Sequence, residues 1–203
     1  MKLFDGGLAP NPRRVRVFLA EKGIDVVLEP VDMAGFGHKD EPVTARNPFQ
    51  RLPVLELDDG RCLTESVAIC RYFEELHPEP PLFGISAFER AKVEEWNRRL
   101  ELYLLAAVAA AFRHLHPAMK EWEVPQVAEW GEANKPKALS FLAIFDAHLA
   151  DHRYAAGDGY SIADITGMIG IDFMKPARIV LPEGLSNVRR WYGEVSARPS
   201  AKA

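Results

Sequence analysis

"LPVLELDDGRCLTES", residues 52–66, holds in one stretch a strand, a tight turn, a returning strand and the start of a helix. Pro53 opens the alternating run through Leu57, Asp59-Gly60 supplies the turn, and Arg61 to Leu63 returns antiparallel. Ser66 begins a helix to His77 whose stripe is Val67, Ile69, Cys70, Phe73 and Leu76, stopped by Pro78. Proline cannot donate to a ladder, so Pro53 is either an ordinary trans proline at the first strand position or part of a cis bend. A cis Leu52-Pro53 bond would turn the backbone of Val54 outward, where its N–H and C=O can pair with an extended peptide ligand.

Working outward, "KLFDG" at residues 2–6 reads as a strand, and residues 12–22 as a helix with Val15, Phe18 and Leu19 on one face. Gly23 fits the left-handed closing position of that helix. "DVVLEPVDM" is a second strand, and residues 34–50, with Gly35, Gly37, Pro42 and Pro48, are mostly loop. Strand, helix, strand favours parallel pairing. Beyond the proline-rich "HPEPPLFG" no strand pattern persists: helical runs are expected at residues 87–114, 125–152 (interrupted by Pro136), 162–173 and 185–197. The expected division is therefore an α/β domain over residues 1–77, a linker over 78–85 and an all-helical domain over 86–203.

Composition narrows the function. The 203 residues are 48% hydrophobic and 27% charged, enough to bury a sizeable core and free of the bias that marks disordered or collagen-like chains. A formal charge of −4 offers no general basic field, which argues against nucleic acid or an anionic membrane as partner, so any anion site must be local. "MKLFDGGLAP" lacks the apolar run of an export signal, and no later stretch reaches the roughly 18 apolar residues of a membrane span. An unexported, cytoplasmic protein is expected. Cys62 and Cys70 fit neither a disulfide framework nor a zinc site and read as cytosolic thiols.

Several residues carry two readings. Thr64, Glu65 and Ser66 stand where a helix start offers unpaired N–H groups and a positive dipole end: either a cap, worth about 1 kcal/mol, or a site for a ligand carboxylate, with Glu65 free to accept from an ammonium group. His38 and Lys39 in "GHKD" are either a solvated loop or a pair of donors. Arg13 and Arg14 oppose the dipole of the first helix, which implies a nearby acidic partner or simple exposure. Asn11, between Pro10 and Pro12, is a helix cap, a substrate-facing group, or both, with Pro12 at the first helical position. The pairs His114/His116 and His148/His152 lack a third ligand, so no metal site is expected. Ser161 and Asp164 in "GYSIADI" form a capping box, a fold signal rather than a catalytic dyad.

In order and spacing, these motifs resemble the cytosolic glutathione transferases over essentially the whole chain. The features that match are "NPRRVRVFLAEKGI", the His38-Lys39 pair ahead of "LPVLEL", the Glu of "TES" behind it, and the Ser161–Asp164 box in a helical second half. The resemblance implies a thioredoxin-like α/β amino-terminal domain, an all-α carboxy-terminal domain with a hydrophobic substrate pocket, and a homodimer. It implies glutathione as co-substrate, no prosthetic group, and detoxification of a hydrophobic electrophile or turnover of a disulfide. On it, Pro53 is the family's cis proline after Leu52, and Val54 pairs the cysteinyl backbone of glutathione. Glu65 and Ser66 hold its γ-glutamyl end, and His38, Lys39 and Arg51 stand near its glycyl carboxylate.

The implied mechanism lowers the pKa of the glutathione thiol so that the thiolate attacks an electrophile or reduces a peroxide or disulfide. Here the sequence departs from the common pattern. Ala9 stands before the proline where serine or cysteine is usual, and residues 5–12 hold no Tyr, Ser or Cys. Asn11 is the side-chain donor left, similar to the asparagine of bacterial Nu-class enzymes, which favour disulfide reduction. Two other functions stay open: a noncatalytic glutathione-binding or partner-binding module, motivated by Ala9, and glutaredoxin-like chemistry, disfavoured because no cysteine lies at the first helix.

Overall fold

The computed structural model describes all residues, Met1–Ala203, and the chain forms two units, Met1–Leu82 with Pro199–Ala203, and Phe83–Arg198. The last five residues thus return to the first unit, where Arg13 donates to the Ala201 carbonyl at 2.9 Å and Ser200 donates to Glu21. Nothing in their composition signals this.

The first unit is a four-stranded mixed sheet with helices. Its elements are β1 (Lys2–Asp5), α1 (Pro10–Lys22), β2 (Val27–Pro30), a 3-10 turn at Gly37–Lys39, α2 (Val43–Arg46), β3 (Val54–Glu56), β4 (Cys62–Thr64) and α3 (Ser66–Leu76). The strand order is β2-β1-β3-β4, with β1 parallel to β2 and antiparallel to β3, and β3 antiparallel to β4. The expected strand-helix-strand unit and hairpin are both present. Phe4 pairs with Val54 and Leu3 with Leu55. Alternation therefore sends Phe4 and Val54 to one face, where they join Val43 and Leu52 in a core cluster, and Leu3 and Leu55 to the other; all four strand residues are buried.

Two expectations about α1 are corrected. The helix starts at Pro10 rather than Pro12, so Ala9 is the N-cap and Asn11 lies inside the first turn, exposed. The Ala9 carbonyl already accepts from Arg13 N at 3.2 Å, which leaves Asn11 no capping role. Pro10 can take the first helical position because its absent N–H would be unpaired there anyway. Arg14 is fully buried rather than exposed. The helix closes as expected: Gly23 has φ 64°, and Gly23 N and Ile24 N return to the carbonyls of Ala20 and Leu19.

The second unit is helical: α4 (Ala87–Arg99), a wider π-type segment (Leu100–Leu105), α5 (Ala106–Leu115), α6 (Ala128–His148), α7 (Ile162–Met174) and α8 (Ser186–Ser196). Pro136 was expected to interrupt a helix, yet α6 runs through it. Pro136 is exposed, so the Glu132 carbonyl that it leaves without an N–H can turn to water. No helix is long and apolar enough to cross a membrane.

The capping box at α7 is more than local. Asp164, fully buried, accepts from Ser161 N at 2.9 Å, Ser161 Oγ at 3.1 Å, Ala155 N at 2.8 Å and the indole of buried Trp191 at 2.8 Å. Burial still pushes its carboxyl up to about 6. One side chain therefore ties the start of α7 to the preceding loop and to α8. Gly167, in the next turn, lets Trp191 in: a Cβ there would fall 2.8 Å from its ring. Asp164→Ala orphans these buried donors at about 1–3 kcal/mol each, and a loss of at least about 3 kcal/mol is expected from urea unfolding; a loss below about 1 kcal/mol would show that the network is dispensable.

Candidate active site

One row of paired residues across the sheet assembles the site. Phe4 faces Val54 and Val54 faces Thr64, so the end of β1, the start of β3 and the end of β4 share one edge of the sheet. From that edge run the loop into α1, the Arg51-Leu52-Pro53 approach to β3, and the Glu65-Ser66 entry to α3. The three motifs singled out in the sequence are thereby brought together. The Leu52-Pro53 bond is cis, which settles the alternative left open for Pro53.

The β1–α1 loop is tightly held. Asp5 accepts from Gly7 N at 3.0 Å and pairs with Arg16, which also donates to the Gly7 carbonyl at 2.9 Å. Gly6 packs so closely that a Cβ there would lie 3.3 Å from Leu52 Cδ1. The loop delivers the chain to half-buried Ala9, whose own N–H bonds the Gly6 carbonyl at 3.2 Å. Pro10 and Pro12 have no N–H, and Arg13 N is bonded to Ala9 O. Asn11 is therefore the residue of this turn that can offer an outside acceptor a backbone N–H, and its side-chain amide adds two further donor hydrogens.

At the start of α3, Glu65 is the N-cap and adopts φ 68°, ψ 116°. A positive φ on a non-glycine residue costs about 1–3 kcal/mol and marks a functional turn when the fold enforces it. Glu65 is exposed, and Ser66 is buried, its Oγ accepting from Arg14 Nη1 at 3.1 Å. The early N–H groups of α3 and its positive dipole end face the same edge.

The third part lies around the 3-10 turn. His38 is 1% exposed, while Lys39 and Arg51 are exposed. Burial lowers the His38 pKa from its ordinary value, the charges of Lys39 and Arg51 lower it further, and Asp40 opposes them. His38 is thus neutral at pH 7, and the positive charge of this corner comes from Lys39 and Arg51. Asn47, which the sequence reading passed over, holds the Arg51 segment: its Nδ2 donates to the Arg51 carbonyl at 2.8 Å and its Oδ1 accepts from Phe49 N at 3.1 Å. The Asn47-Pro48 dipeptide was the available turn signal.

The second unit has a cavity of about 930 Å³ whose walls include Trp96, Tyr103, Phe141 and Ile144, with Arg99 and Lys137 among its lining. The histidine pairs serve the backbone. His114 Nδ1 accepts from Val127 N at 3.0 Å, His116 Nδ1 accepts from Ala118 N at 3.2 Å, and His148 Nε2 lies 2.9 Å from the Ala155 carbonyl.

The His38 shift fixes a sign. Its folded pKa lies below 6.5, so on acidification the unfolded chain takes the proton first. The stability that neutral His38 contributes is present above about pH 6.5 and lost as the pH falls from there through the folded value. Asp164, pushed up to about 6, contributes a slope of opposite sign in the same window, so the His38 contribution is read as a difference. Between pH 7.5 and 5 the urea midpoint of the native chain is expected to lose ground to that of His38→Gln, and a pH-independent difference would contradict the assignment. His148, lowered mainly by burial, leaves a residual slope in that variant.

Comparison with known proteins gives the family of the chain. Residues 9–76 match the family described as glutathione S-transferase, N-terminal domain, and residues 98–199 match glutathione S-transferase, C-terminal domain. Glutathione S-transferase 2 of Saccharomyces cerevisiae is 37% identical over 100% of this chain and 88% of its own length. Among solved structures, a glutathione S-transferase domain-containing protein of Marinobacter aquaeolei VT8 superposes with a TM-score of 0.95 at 39% identity, covering 98% of this chain and 99% of that one. Gtt2 from Saccharomyces cerevisiae gives 0.94 at 36% identity over 100% and 99% of the two chains. With both domains matched in chain order and relatives that span its whole length, this chain belongs to the glutathione S-transferase family.

Proposed function

We propose that the chain is a glutathione transferase that binds glutathione on its first unit and lowers the pKa of the glutathione thiol for attack on a hydrophobic electrophile. The observation that carries the reading is the first turn of α1, where two prolines leave Asn11 as the source of donors. In this reading Glu65 and Ser66 hold the γ-glutamyl end, Val54 the cysteinyl backbone, and His38, Lys39 and Arg51 the glycyl carboxylate. Ala9, Leu52 and Pro53 shape the floor. His38, neutral at pH 7, serves as an N–H donor and leaves the charge to its neighbours.

A free thiol of pKa about 8.5 is mostly protonated at neutral pH, and each unit of lowering takes about 1.4 kcal/mol. A helix N-terminus supplies about 0.3–1 kcal/mol. A hydrogen bond to a charged group supplies about 1.5–3 kcal/mol. Asn11 and the end of α1 together therefore suffice for one to two units without a hydroxyl at residue 9. The thiolate then forms a bond to the electrophilic carbon, and the leaving group departs with the electron pair. Peroxide or disulfide reduction would use the same thiolate. Apolar side chains of the helical unit supply the surface for the electrophile, and free Cys62 and Cys70 suit a reducing, cytoplasmic setting.

A homodimer belongs to the same proposal, supported by Leu102, Tyr103 and Ile144 at the cavity of the second unit, all exposed to solvent. Sedimentation equilibrium is expected to give a dimer for the native chain and a weakened one for Ile144→Asp; a monomeric native chain contradicts this.

Asn11→Ala separates chemistry from structure. Because Ala9 is the cap, the stability loss is expected to stay below about 0.5 kcal/mol, the usual range for surface changes. Turnover with a chlorodinitrobenzene is expected to fall by about tenfold or more, as for loss of one donor to a developing charge. Glutathione affinity should stay nearly unchanged. Full turnover in the variant would remove the side chain from the mechanism.

A further inference from the structure

We infer that Arg14 is a positioning residue for glutathione, acting through Ser66 to aim that hydroxyl at the γ-glutamyl carboxylate; the inference rests on the function proposed above. Arg14 belongs to the apolar stripe of α1, sharing a face with Val17 and Phe18, yet its side chain is 0% exposed. Burying a guanidinium costs several kcal/mol unless it is well partnered. One of its partners is Ser66, 5% exposed, at the first position of α3.

The chemistry of the bond sets a direction. A guanidinium only donates, and a serine hydroxyl has one hydrogen and two acceptor lone pairs. Arg14 Nη1, at 3.1 Å, occupies a lone pair of Ser66 Oγ, so the hydroxyl hydrogen has to point elsewhere. The cation also polarises the hydroxyl and strengthens it as a donor. At this helix start the amides of Ser66 and Val67 are unclaimed by the helix, and Ile69 N is the first to bond back, to Glu65 O at 3.0 Å. Two N–H groups, an oriented O–H, a dipole end and a buried positive charge then converge on one spot. Each favours an anion there, and the α-carboxylate of the γ-glutamyl group is the one the proposed ligand brings. The dipole conflict of Arg14 read from the sequence is not removed by burial: its charge lies beside the N-terminus of α3 as well as in the first turn of α1, and an anion bound at α3 would offset it.

The test compares the native protein with Arg14→Lys, Ser66→Ala and the double variant, with glutathione and cysteinylglycine as ligands. Lysine keeps the charge but lacks the fixed fork of donors. Arg14→Lys is expected to raise the KM for glutathione about tenfold while kcat stays within about threefold, and the double variant to be no worse than Ser66→Ala, because the two residues act as one coupled pair. Cysteinylglycine, which lacks the γ-glutamyl group, should bind native and variant protein alike. A purely structural Arg14 would lower the melting temperature without splitting KM from kcat. An unchanged KM, or independent additive penalties, overturns the inference while the transferase reading stands. A native chain that does not bind glutathione overturns both. A crystal structure of the native chain with glutathione tests the same point without a variant: Ser66 Oγ should accept from Arg14 and donate to the carboxylate, and a hydroxyl turned elsewhere overturns the inference.

Discussion

The row Phe4, Val54, Thr64 across the sheet is the constraint on which the rest of the first unit depends. Strand pairing has a period of two, so a slip of one residue would turn Phe4 and Val54 away from their core and move every loop at that edge. With the register held by burial on both faces, the loop into α1, the cis Leu52-Pro53 bend and the strained Glu65 entry to α3 emerge side by side. None of these segments is a site by itself. Each supplies backbone donors or one oriented side chain, and the sheet register brings them to one edge, the surface proposed above for glutathione.

Electrostatics gives that surface its sign without a basic protein. The chain is net acidic, yet the dipole ends of α1 and α3 and the Lys39 and Arg51 side chains supply local positive charge, with Glu65 and Asp40 the acids among them. Arg14 adds its charge from inside, where solvent does not screen it. The absence of a hydroxyl at Ala9 then becomes intelligible. Thiol activation needs only a few kcal/mol, and a helix end with one well-placed amide can supply it.

Much of this was legible in the sequence because it is local. The hairpin of residues 53–64, the helix α3 behind it and the Ser161–Asp164 box follow from turn residues, periodicity and capping rules that act over a few positions, whereas the four-residue α2 fell in a stretch that reads as loop. What was not legible depends on partners far along the chain. The burial of Arg14 needs Ser66, the return of residues 199–203 needs Arg13 and Glu21, and the reach of Asp164 to Trp191 needs α8. The start of α1 was misplaced for a subtler reason: two prolines one residue apart both suit a first turn, and only the Ala9–Arg13 hydrogen bond decides between them.

The central claim is that this chain stabilises the thiolate of bound glutathione with a helix end and Asn11 in place of a hydroxyl or thiol. Its most direct test is the ultraviolet absorbance of the thiolate, titrated against pH for glutathione bound to the native protein. A thiol pKa at least about one unit below that of free glutathione, the shift that about 1.4 kcal/mol produces, is the result expected. A bound thiol that titrates where free glutathione does would contradict the account and leave a protein that binds glutathione without activating it.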